Sequence, residues 1–383
     1  MKLNPTIILK APISQREKMR KMNRTLSERI HIDFFLFFAL LSLTALGLFV
    51  LYSASNGNSL LVFRQIARLG IAYFIMIIIA QIPPTKMRLW IPWIYLIGVL
   101  LLTAVLIIGD VGKGAQRWLD LGFIRFQPSE IMKLAIPMFV AWYLADRELP
   151  PSFIDLLVCA FIIAVPVLMT AKQPDLGTAL MLAGTGAWVL FLAGMRWRLI
   201  LLLLLAAAAA MPALWFMMHG YQRQRVLTFL NPESDPLGAG YHIIQSKIAI
   251  GSGGVFGKGW LNGTQSHLNF LPEHATDFIF AVLGEELGLV GGLVLLAIVT
   301  IIMLRGLYMS TQAQDTFTRL VSGSLILTFF LSIFINIGMV TGLLPVVGVP
   351  LPLFSYGGTS MVTLMASFGV LMSIHTHRRL VAK

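Results

Sequence analysis

Asp277 lies where a polar segment changes abruptly into an apolar one, in the run FLPEHATDFIFAVLGEELG. In a partly desolvated cleft beside bound lipid, a carboxylate at the mouth of a membrane helix would have a raised pKa and would be suited to act as a general base. The competing interpretation is structural, with Thr276 or Asp277 capping the free amides of the helix. Glu285 and Glu286 lie two turns deeper and are expected to hydrogen-bond neighbouring helices.

Glu130 and Lys133 are a second set of charges within an apolar segment, close to Gln127 and Ser129. A charge at the bilayer centre costs about 2.5 kcal/mol or more, so it needs an explanation. Residues three apart share one face of a helix, and these two are expected to form an ion pair. The pair either stabilises helix association or, lying just below an external loop, meets an anionic head group.

Basic residues also lie in the external run GKGAQRWLDLGFIRFQPSE, where Arg117 precedes Trp118 and Lys113 and Arg125 flank them. An interfacial Trp flanked by basic residues suits a site at the membrane surface that holds a diphosphate. The same side chains are also typical of anchors that extend along the bilayer edge.

The long segment 219–276 opens with a polar run that contains Arg223 and Arg225. Its sequence GSGGVFGKGW lacks the GxxxxGK[ST] spacing and the strand-to-helix context of a phosphate loop, which excludes a nucleotide site.

The last external run, GLLPVVGVPLPLFSYGGTS, combines prolines and glycines at membrane depth and predicts an irregular segment that lines a cavity. The seven histidines lack paired metal-ligand spacing, so no built-in metal site is predicted.

The composition shows which elements must position these residues. Hydrophobic residues make up 57% of the 383 residues, charged residues only 12%, and the mean hydropathy is +0.82, which excludes a water-soluble fold. The single cysteine, Cys159, excludes an intramolecular disulfide. The formal net charge of +12 is dispersed over short loops and concentrated only before residue 34, which indicates membrane topology and not nucleic-acid binding.

A membrane span needs about 20 predominantly apolar residues. The sequence therefore predicts an all-α integral membrane protein with about ten transmembrane helices, at roughly 34–53, 62–81, 88–109, 127–146, 153–171, 177–194, 198–218, 277–304, 316–342 and 354–377.

Orientation follows from the excess of Lys and Arg in cytoplasmic segments. The basic segment 1–33 and, by alternation, the C-terminus are expected in the cytoplasm, and residues 34–383 form a single polytopic membrane domain. The loop 219–276, between helices seven and eight, is then periplasmic or extracellular. The same alternation places 110–126, 172–176 and 343–353 outside, so the chemistry is expected on the outer face.

Several motifs together resemble the SEDS family of shape, elongation, division and sporulation proteins over nearly the whole chain after residue 30. They are GKGAQRWLDLG, QPSEIMKLA, QPDLGTAL, NPESDPLGAGYHIIQSKIAIGSGGVFGKGWLNGTQSHLNFLPEHATDFIFAVLGEELG and PLPLFSYGGTS. The run GTQSHLNFLPEHATDFIF is nearer the elongation branch than the division branch, although His274 and Ala275 depart from the arginine–histidine pair of that branch.

The resemblance implies a peptidoglycan glycosyltransferase of the bacterial inner (plasma) membrane. Such an enzyme polymerises lipid II into β-1,4 glycan strands for cell elongation and rod shape and releases undecaprenyl diphosphate. Asp277 matches the family's essential aspartate, which implies that it is the general base. The residues then expected to bind substrate are Glu130, Lys133, Arg117, Arg223 and Arg225.

The resemblance implies no built-in cofactor and leaves room for a divalent cation, Mg²⁺ or Mn²⁺, on the diphosphate. It implies lipid II, the nascent glycan strand, membrane lipids and a class B penicillin-binding protein transpeptidase as partners, and no nucleic acid. A flippase for lipid-linked sugars is one alternative, but it needs access from both faces, whereas the polar clusters lie on the outer side. A membrane scaffold of the cell-wall machinery is another, and it predicts that replacing Asp277 leaves function intact.

Overall fold

The computed structural model describes residues 30–112, 115–120, 122, 125–218, 220–234, 239–267 and 273–377 and is mostly helical. Most of the predicted basic segment 1–33 therefore lies outside the described residues. The helices are α1 Phe34–Ala54, α2 Ser59–Ala80, α3 Pro84–Ile108, α4 Pro128–Leu144, α5 Phe153–Lys172, α6 Leu176–Leu192, α7 Trp197–Met217, α8 Gly220–Leu230, α9 Ala239–Gly253, α10 Thr264–His267, α11 Ile279–Thr311, α12 Thr316–Val340 and α13 Thr359–Thr376.

Every predicted span overlaps one of these helices. Within the described part of the chain, seven helices are long and apolar enough to cross a membrane, namely α1, α2, α3, α5, α11, α12 and α13. The remaining predicted spans correspond to α4, α6 and α7, of which α4 has only 17 residues and carries the charges of Glu130 and Lys133. The protein is a multi-pass membrane protein by these criteria, and the total of about ten spans stays a prediction.

Short polar side chains begin several of these helices. Asp33 accepts a hydrogen bond from the Leu36 amide at the start of α1. Asp175 caps α6 through the Thr178 amide. Each cap satisfies an amide that has no partner within its own helix, which matters most where water is scarce. The sequence thus fixes the helix starts through residues that the apolar pattern alone does not reveal.

A small antiparallel sheet adds to the predicted all-helical fold. Its strands are β1 Asp110–Gly112, β2 Ala115–Asp120 and β3 Arg125–Phe126, in the order β1-β2-β3. It occupies the predicted external segment 110–126, and β2 packs against α3 and α4. Arg117 and Trp118 therefore lie on a strand that packs against two helices, α3 and α4.

The buried core divides into two main apolar clusters. One is centred on α1, α2, α11 and α13, and the other on α3, α4, α5, α6 and α12. Cys159 is buried in the second cluster. The irregular segment 341–358 contributes Leu351, Leu353 and Phe354 to the first cluster and Val349 to a third, smaller cluster.

Helix α11 is interrupted at Gly288, where the backbone adopts φ 62° and ψ −156°. The preceding loop pairs with the interruption: Lys258 and Gly259 amides donate to the carbonyls of Glu285 and Glu286, at 3.0 Å each. The amides of Leu289 and Val290 in turn donate to carbonyls of that loop, those of Gly254 and Val255. The glycine-rich run therefore forms a backbone clamp on α11.

The two glutamates beside the interruption are buried and hydrogen-bonded, Glu286 to a neighbouring helix, as predicted, and Glu285 to the preceding loop and the short helix α10. The carboxylate of Glu285 accepts hydrogen bonds from Lys258 Nζ at 2.7 Å and from the Thr264 amide at 2.8 Å. Glu286 accepts one from Ser53 Oγ of α1, at 2.5 Å. They fix α11 to the preceding loop and to the C-terminal end of α1.

Candidate active site

Asp277 lies in a tight turn, residues 273–278, that immediately precedes α11. The helix is capped at Phe278 without a side-chain hydrogen bond, so neither Thr276 nor Asp277 is its N-cap residue. Thr276 Oγ1 instead donates to the Glu273 carboxylate at 2.8 Å. Glu273 has φ +60°, a strained value for a non-glycine residue, which persists only where surrounding contacts hold it.

Two buried side chains hold this turn against the irregular segment 341–358. The Asn336 amide nitrogen donates to the main-chain oxygens of Asp277, at 2.9 Å, and Val349, at 2.7 Å. Ser355 Oγ donates to the Thr276 carbonyl at 2.6 Å and accepts from a main-chain amide of its own segment. The backbone on both sides of the Asp277 side chain is therefore fixed.

The Asp277 carboxylate is partly buried and lies next to Gly348. Its Oδ2 atom is 3.6 Å from the position that a Cβ at Gly348 would take, and Gly348 itself has φ +74°. Glycine adopts this left-handed backbone without steric cost. The close approach leaves one side of the carboxylate against main chain, in the partly desolvated setting that favours a general base.

Glu130 and Lys133 form the predicted ion pair, with Lys133 Nζ 2.7 Å from Glu130 Oε1. Both line a cavity of about 60 Å³ between α4, α12, α13 and the irregular segment. That volume holds a few water molecules. Its polar lining is completed by hydroxyl groups, those of Thr328, Ser332, Ser355, Ser360, Thr363 and Ser367.

The cavity and the Asp277 turn share a wall. Val349 and Ser355 both line the cavity, and both are hydrogen-bonded within the network that holds the turn. Asp277 itself is not among the lining residues. The structure thus joins the predicted charges of α4 to the predicted base through the segment 349–355.

Arg117 forms an ion pair with Asp175, whose side chain is buried, with Nε 3.2 Å from Oδ2. Asp175 also caps α6. Two residues further on, Gly177 packs directly against the Val347 carbonyl, which a Cβ would approach to 2.8 Å. Arg117 therefore lies on the side of the molecule where the segment 347–349 passes the Asp277 turn.

Arg223 contacts the end of α7, and its role in substrate binding stays a prediction. Its guanidinium donates to the carbonyls of Trp215 and Phe216, at 2.8 and 2.7 Å, near the end of α7. These carbonyls lack partners within the helix, so Arg223 completes its C-terminus. Arg225 lies on α8, and its side chain is outside the described part of the structure.

The sequence interpretation missed three polar side chains at this site. Gln65 of α2 donates to the Ser355 carbonyl at 3.1 Å and is almost fully buried. Arg68, one turn further, lies over the Tyr356 ring with 4.6 Å to the centroid. Asn336 is fully buried in α12. The available signal was the same as for Glu130, namely a polar residue within an apolar span.

The Gly122 amide and then Arg125 hold the pKa of the exposed Asp120 carboxyl below its usual value. In the described residues, no group of three or more His, Cys, Asp or Glu side chains is placed to hold a metal ion. A divalent cation at this site would need oxygen ligands from a bound phosphate group.

The model of the cell cycle protein family that comprises FtsW, RodA and SpoVE matches residues 34–380. The chain belongs to this family. The resemblance to SEDS proteins is thereby confirmed, and it extends over every helix that contributes to the site.

Relatives of known name are similar over almost their full length. Peptidoglycan glycosyltransferase MrdB of Escherichia coli (strain K12) is 53% identical over 361 residues, which cover 94% of this chain and 98% of the relative. Stage V sporulation protein E of Bacillus subtilis (strain 168) is 36% identical over 362 residues, which cover 91% and 98%.

Solved structures share the fold. A chain of a peptidoglycan synthase complex that coordinates polymerization and crosslinking matches with a TM-score of 0.80 and 33% identity, covering 91% of this chain and 99% of that one. The rod shape determining protein RodA of Thermus thermophilus matches with a TM-score of 0.69 and 27% identity, covering 90% and 96%.

Proposed function

We propose that this protein is a peptidoglycan glycosyltransferase that polymerises lipid II into β-1,4 glycan strands for cell elongation and rod shape. The observation that carries the proposal is the 53% identity to a peptidoglycan glycosyltransferase over 94% of the chain. The site supports it, because a partly buried carboxylate stands beside a cavity lined by charges and hydroxyl groups.

The proposed reaction needs one base and one leaving group. The Asp277 carboxylate takes the proton of the acceptor sugar hydroxyl, and that oxygen bonds to the anomeric carbon of the donor. The bond from this carbon to the diphosphate oxygen breaks, and undecaprenyl diphosphate leaves with the electron pair. Diphosphate is already a good leaving group, so a single carboxylate suffices, whereas most glycoside hydrolases use two.

The substrate-binding roles are part of the same proposal. Lys133 faces the cavity with Glu130 and offers a cation to the diphosphate, while Glu130 orients it. Arg117 offers a second cation beside the segment 347–349. Arg223 holds the end of α7, so a substrate contact is left to its remaining N–H groups, and Arg225 is proposed as the further loop contact.

The cellular setting follows from the same reasoning. We place the site on the outer face of the inner membrane with both termini cytoplasmic, because the basic segment precedes α1. A Mg²⁺ or Mn²⁺ ion, if used, is held largely by the diphosphate. The partner is proposed to be a class B penicillin-binding protein transpeptidase, because a structural neighbour belongs to a complex of polymerization and crosslinking.

The deciding experiment is polymerisation of purified lipid II by the detergent-solubilised protein with its transpeptidase partner. Asp277→Asn is expected to remove glycan strand formation while preserving folding and partner binding. Asp120→Asn, which alters an exposed aspartate on the same outer side, is the matched control and keeps activity. Equal polymer from the Asp277→Asn and native chains, or transport of lipid II without polymer, would favour the scaffold or the flippase.

A further inference from the structure

The glycine-rich loop of residues 253–261 exposes an apolar surface in the segment that the sequence predicts to be the polar external loop. Phe256 is 83% exposed and Val255 54% exposed, and Trp260 and Leu261 are also exposed. We call these four side chains the loop foot. Large exposed apolar side chains that lie together indicate a surface covered by a partner or by lipid. The depth of this loop along the membrane helices distinguishes the two.

Two side-chain hydrogen bonds between α1 and α11 show how deep each part of α11 lies in the membrane. Helix α1 has 21 residues, about 31 Å, which matches the hydrocarbon core of about 30 Å. Arg305 of α11 bonds to Asp33 at one end of α1, and Glu286 bonds to Ser53 at the other. The part of α11 from Glu286 to Arg305, between these two hydrogen bonds, rises about 28 Å, so it crosses the membrane. The first turns of α11, before Glu286, therefore stand above the hydrocarbon.

The loop foot lies on the membrane side of that outer level. The Val255 carbonyl accepts from the Val290 amide at 3.1 Å, which places Val255 level with a residue about one turn inside the span. Leu289 and Val290 are themselves exposed, as expected for a surface that faces lipid. The apolar foot is continuous with this surface of α11.

Trp260 packs against the last turn of α1, where its ring stacks on Tyr52, next to Ser53, with 5.6 Å between centroids. Its ring also stacks on Phe49 of α1, with 4.6 Å between centroids, and its Nε1 donates to the Phe49 carbonyl at 3.1 Å. Phe49 lies in the last turns of α1, at the depth where Trp side chains concentrate at membrane interfaces. An indole at this depth places an apolar face against acyl chains while its N–H is satisfied.

The loop also meets the requirement that lipid places on irregular backbone, namely that its polar groups be paired internally. The amides of Gly257, Lys258 and Gly259 donate to Gly253 and to α11, and the carbonyls of Gly254 and Val255 accept from α11. The one cation of the run, Lys258, is neutralised by buried Glu285. Neither feature is needed by a loop that lies in water.

From these contacts we propose that the loop foot is seated in the outer leaflet of the bilayer. Val255 and Phe256 contact acyl chains, and Trp260 lies at the boundary with the head groups. The loop 253–261, which precedes the Asp277 turn in the chain, is thus fixed to the membrane surface through its hydrogen bonds to α11. The proposal does not depend on the chemistry of the site.

The test is a depth measurement by spin labelling in the full-length protein. The single native cysteine is buried, so Cys159→Ala provides a background for Phe256→Cys or, as a second label site, Val255→Cys. Leu293→Cys on the lipid-facing side of α11 and Glu233→Cys on the exposed outer loop are the references for lipid and water. Each labelled protein is placed in phosphatidylethanolamine–phosphatidylglycerol vesicles, after its unfolding midpoint is shown to match the Cys159→Ala parent.

Collisions of the nitroxide with oxygen and with a water-soluble nickel chelate are then compared. The foot is expected to show an oxygen-to-nickel ratio several-fold above the Glu233 site and approaching the Leu293 site, with and without the transpeptidase partner. A ratio equal to that of Glu233 would place the foot in water and overturn the proposal. Shielding from both reagents in the protein alone would mean that a second copy covers it, and shielding only with the transpeptidase would identify a protein interface; either result overturns it.

Discussion

For the buried ion pair of Glu130 and Lys133, the effect on stability can be separated from the effect on substrate binding. Glu130 is buried, and Lys133 neutralises it at 2.7 Å. Replacing both partners of a buried ion pair with neutral residues often costs little, whereas removing one strands the other charge. Stability therefore does not by itself explain the pair, and its place on the cavity wall favours binding of an anionic group.

Single and double replacement of this pair should give different results. Lys133→Met is expected to lose about 3 kcal/mol of stability, because it leaves the Glu130 carboxylate unpaired, and also to lose polymerisation. The double variant Glu130→Gln with Lys133→Met is expected to regain stability without regaining activity. Thermal unfolding in detergent and lipid II polymerisation measure the two properties. If the double variant recovers both, the pair is structural and does not bind substrate.

Asn336 is expected to act as a positioning residue for Asp277. Asn336→Ala removes both hydrogen bonds that hold the Asp277 and Val349 carbonyls together. A displacement of about 1 Å at a reacting group can cost about 100-fold in rate. We expect kcat to fall by about 10-fold to 100-fold with little change in KM.

The control for Asn336 is another buried polar residue of the same helix. Ser324 is fully buried, and its hydroxyl donates to the Val321 carbonyl within α12. Ser324→Ala is expected to keep native kinetics. Equal losses of kcat in the two variants, in proportion to their lowered unfolding midpoints, would show that Asn336 supports the fold in general and not the position of Asp277.

At the scale of elements, the interruption of α11 is the feature with the clearest steric basis. Gly288 has a backbone conformation open essentially to glycine alone, and a Cβ there would collide with the Gly257 amide nitrogen. Gly288→Ala is expected to lower the free energy of unfolding by about 3 kcal/mol or more through strain and loss of the loop clamp. Polymerisation should fall with it, because the same helix begins beside Asp277.

Gly292 provides the matched comparison, one turn further along α11. A Cβ at Gly292 would meet nothing within 4 Å. Gly292→Ala is expected to stabilise the helix by up to about 1 kcal/mol, since alanine is the better helix former. Chemical or thermal unfolding in the same detergent measures both variants. A neutral Gly288→Ala would show that the loop clamp does not require the interruption.

The long apolar helices were predictable from sequence because lipid imposes length and composition on them. The sheet of residues 110–126 was missed, since its short strands are polar and its pairing depends on contacts with α3 and α4. Helix α9 was also missed, because it lies within the segment 219–276, which the span pattern assigns to a loop. Gly253 allows close packing of α9 on α11. Such packing depends on residues distant in sequence, which a local pattern does not encode.

Some residues of the candidate site were also predictable from sequence, and others were not. Asp277, Glu130 and Lys133 were found because charge is rare in an apolar chain. Gln65 and Asn336 were missed because an uncharged amide in a span is a weaker signal, and its use depends on which backbone carbonyl lies opposite. The contact of Arg223 with the end of α7 also depends on the fold of the segment 219–276, which the sequence did not predict.

At the scale of the whole molecule, the described N- and C-terminal ends meet at one surface. His31 and His377 stack with 3.7 Å between ring centroids. Asp33, which begins α1, bonds to Arg305 of α11 and lies 3.7 Å from His375 of α13. This cluster joins three membrane helices at the end opposite to Asp277. It therefore holds the helix bundle on the side away from the chemistry.

The Asp33 cluster makes stability depend on pH in a predictable direction. Burial of Asp33 opposes ionisation, but hydrogen bonds from Arg305 and the Leu36 amide, with the charges of Arg305 and His375, hold its pKa below the ordinary value of 3.8. A carboxyl group whose pKa is lowered on folding contributes stability above its unfolded pKa. That contribution is lost as the pH falls below 3.8 and through the lower pKa of the folded state.

Asp33→Asn should therefore be less stable than the native chain at neutral pH, by about 3 kcal/mol, because it leaves Arg305 without its carboxylate. The difference should shrink as the pH falls below 3.8, since protonation removes the same charge from the native protein. Unfolding midpoints in detergent across this range measure it. Asp146→Asn, which breaks an exposed ion pair with Arg88, is the control and should change stability by less than about 1 kcal/mol. A difference between native and Asp33→Asn proteins that stays constant with pH would mean that packing, and not the carboxylate charge, joins α1 to α11.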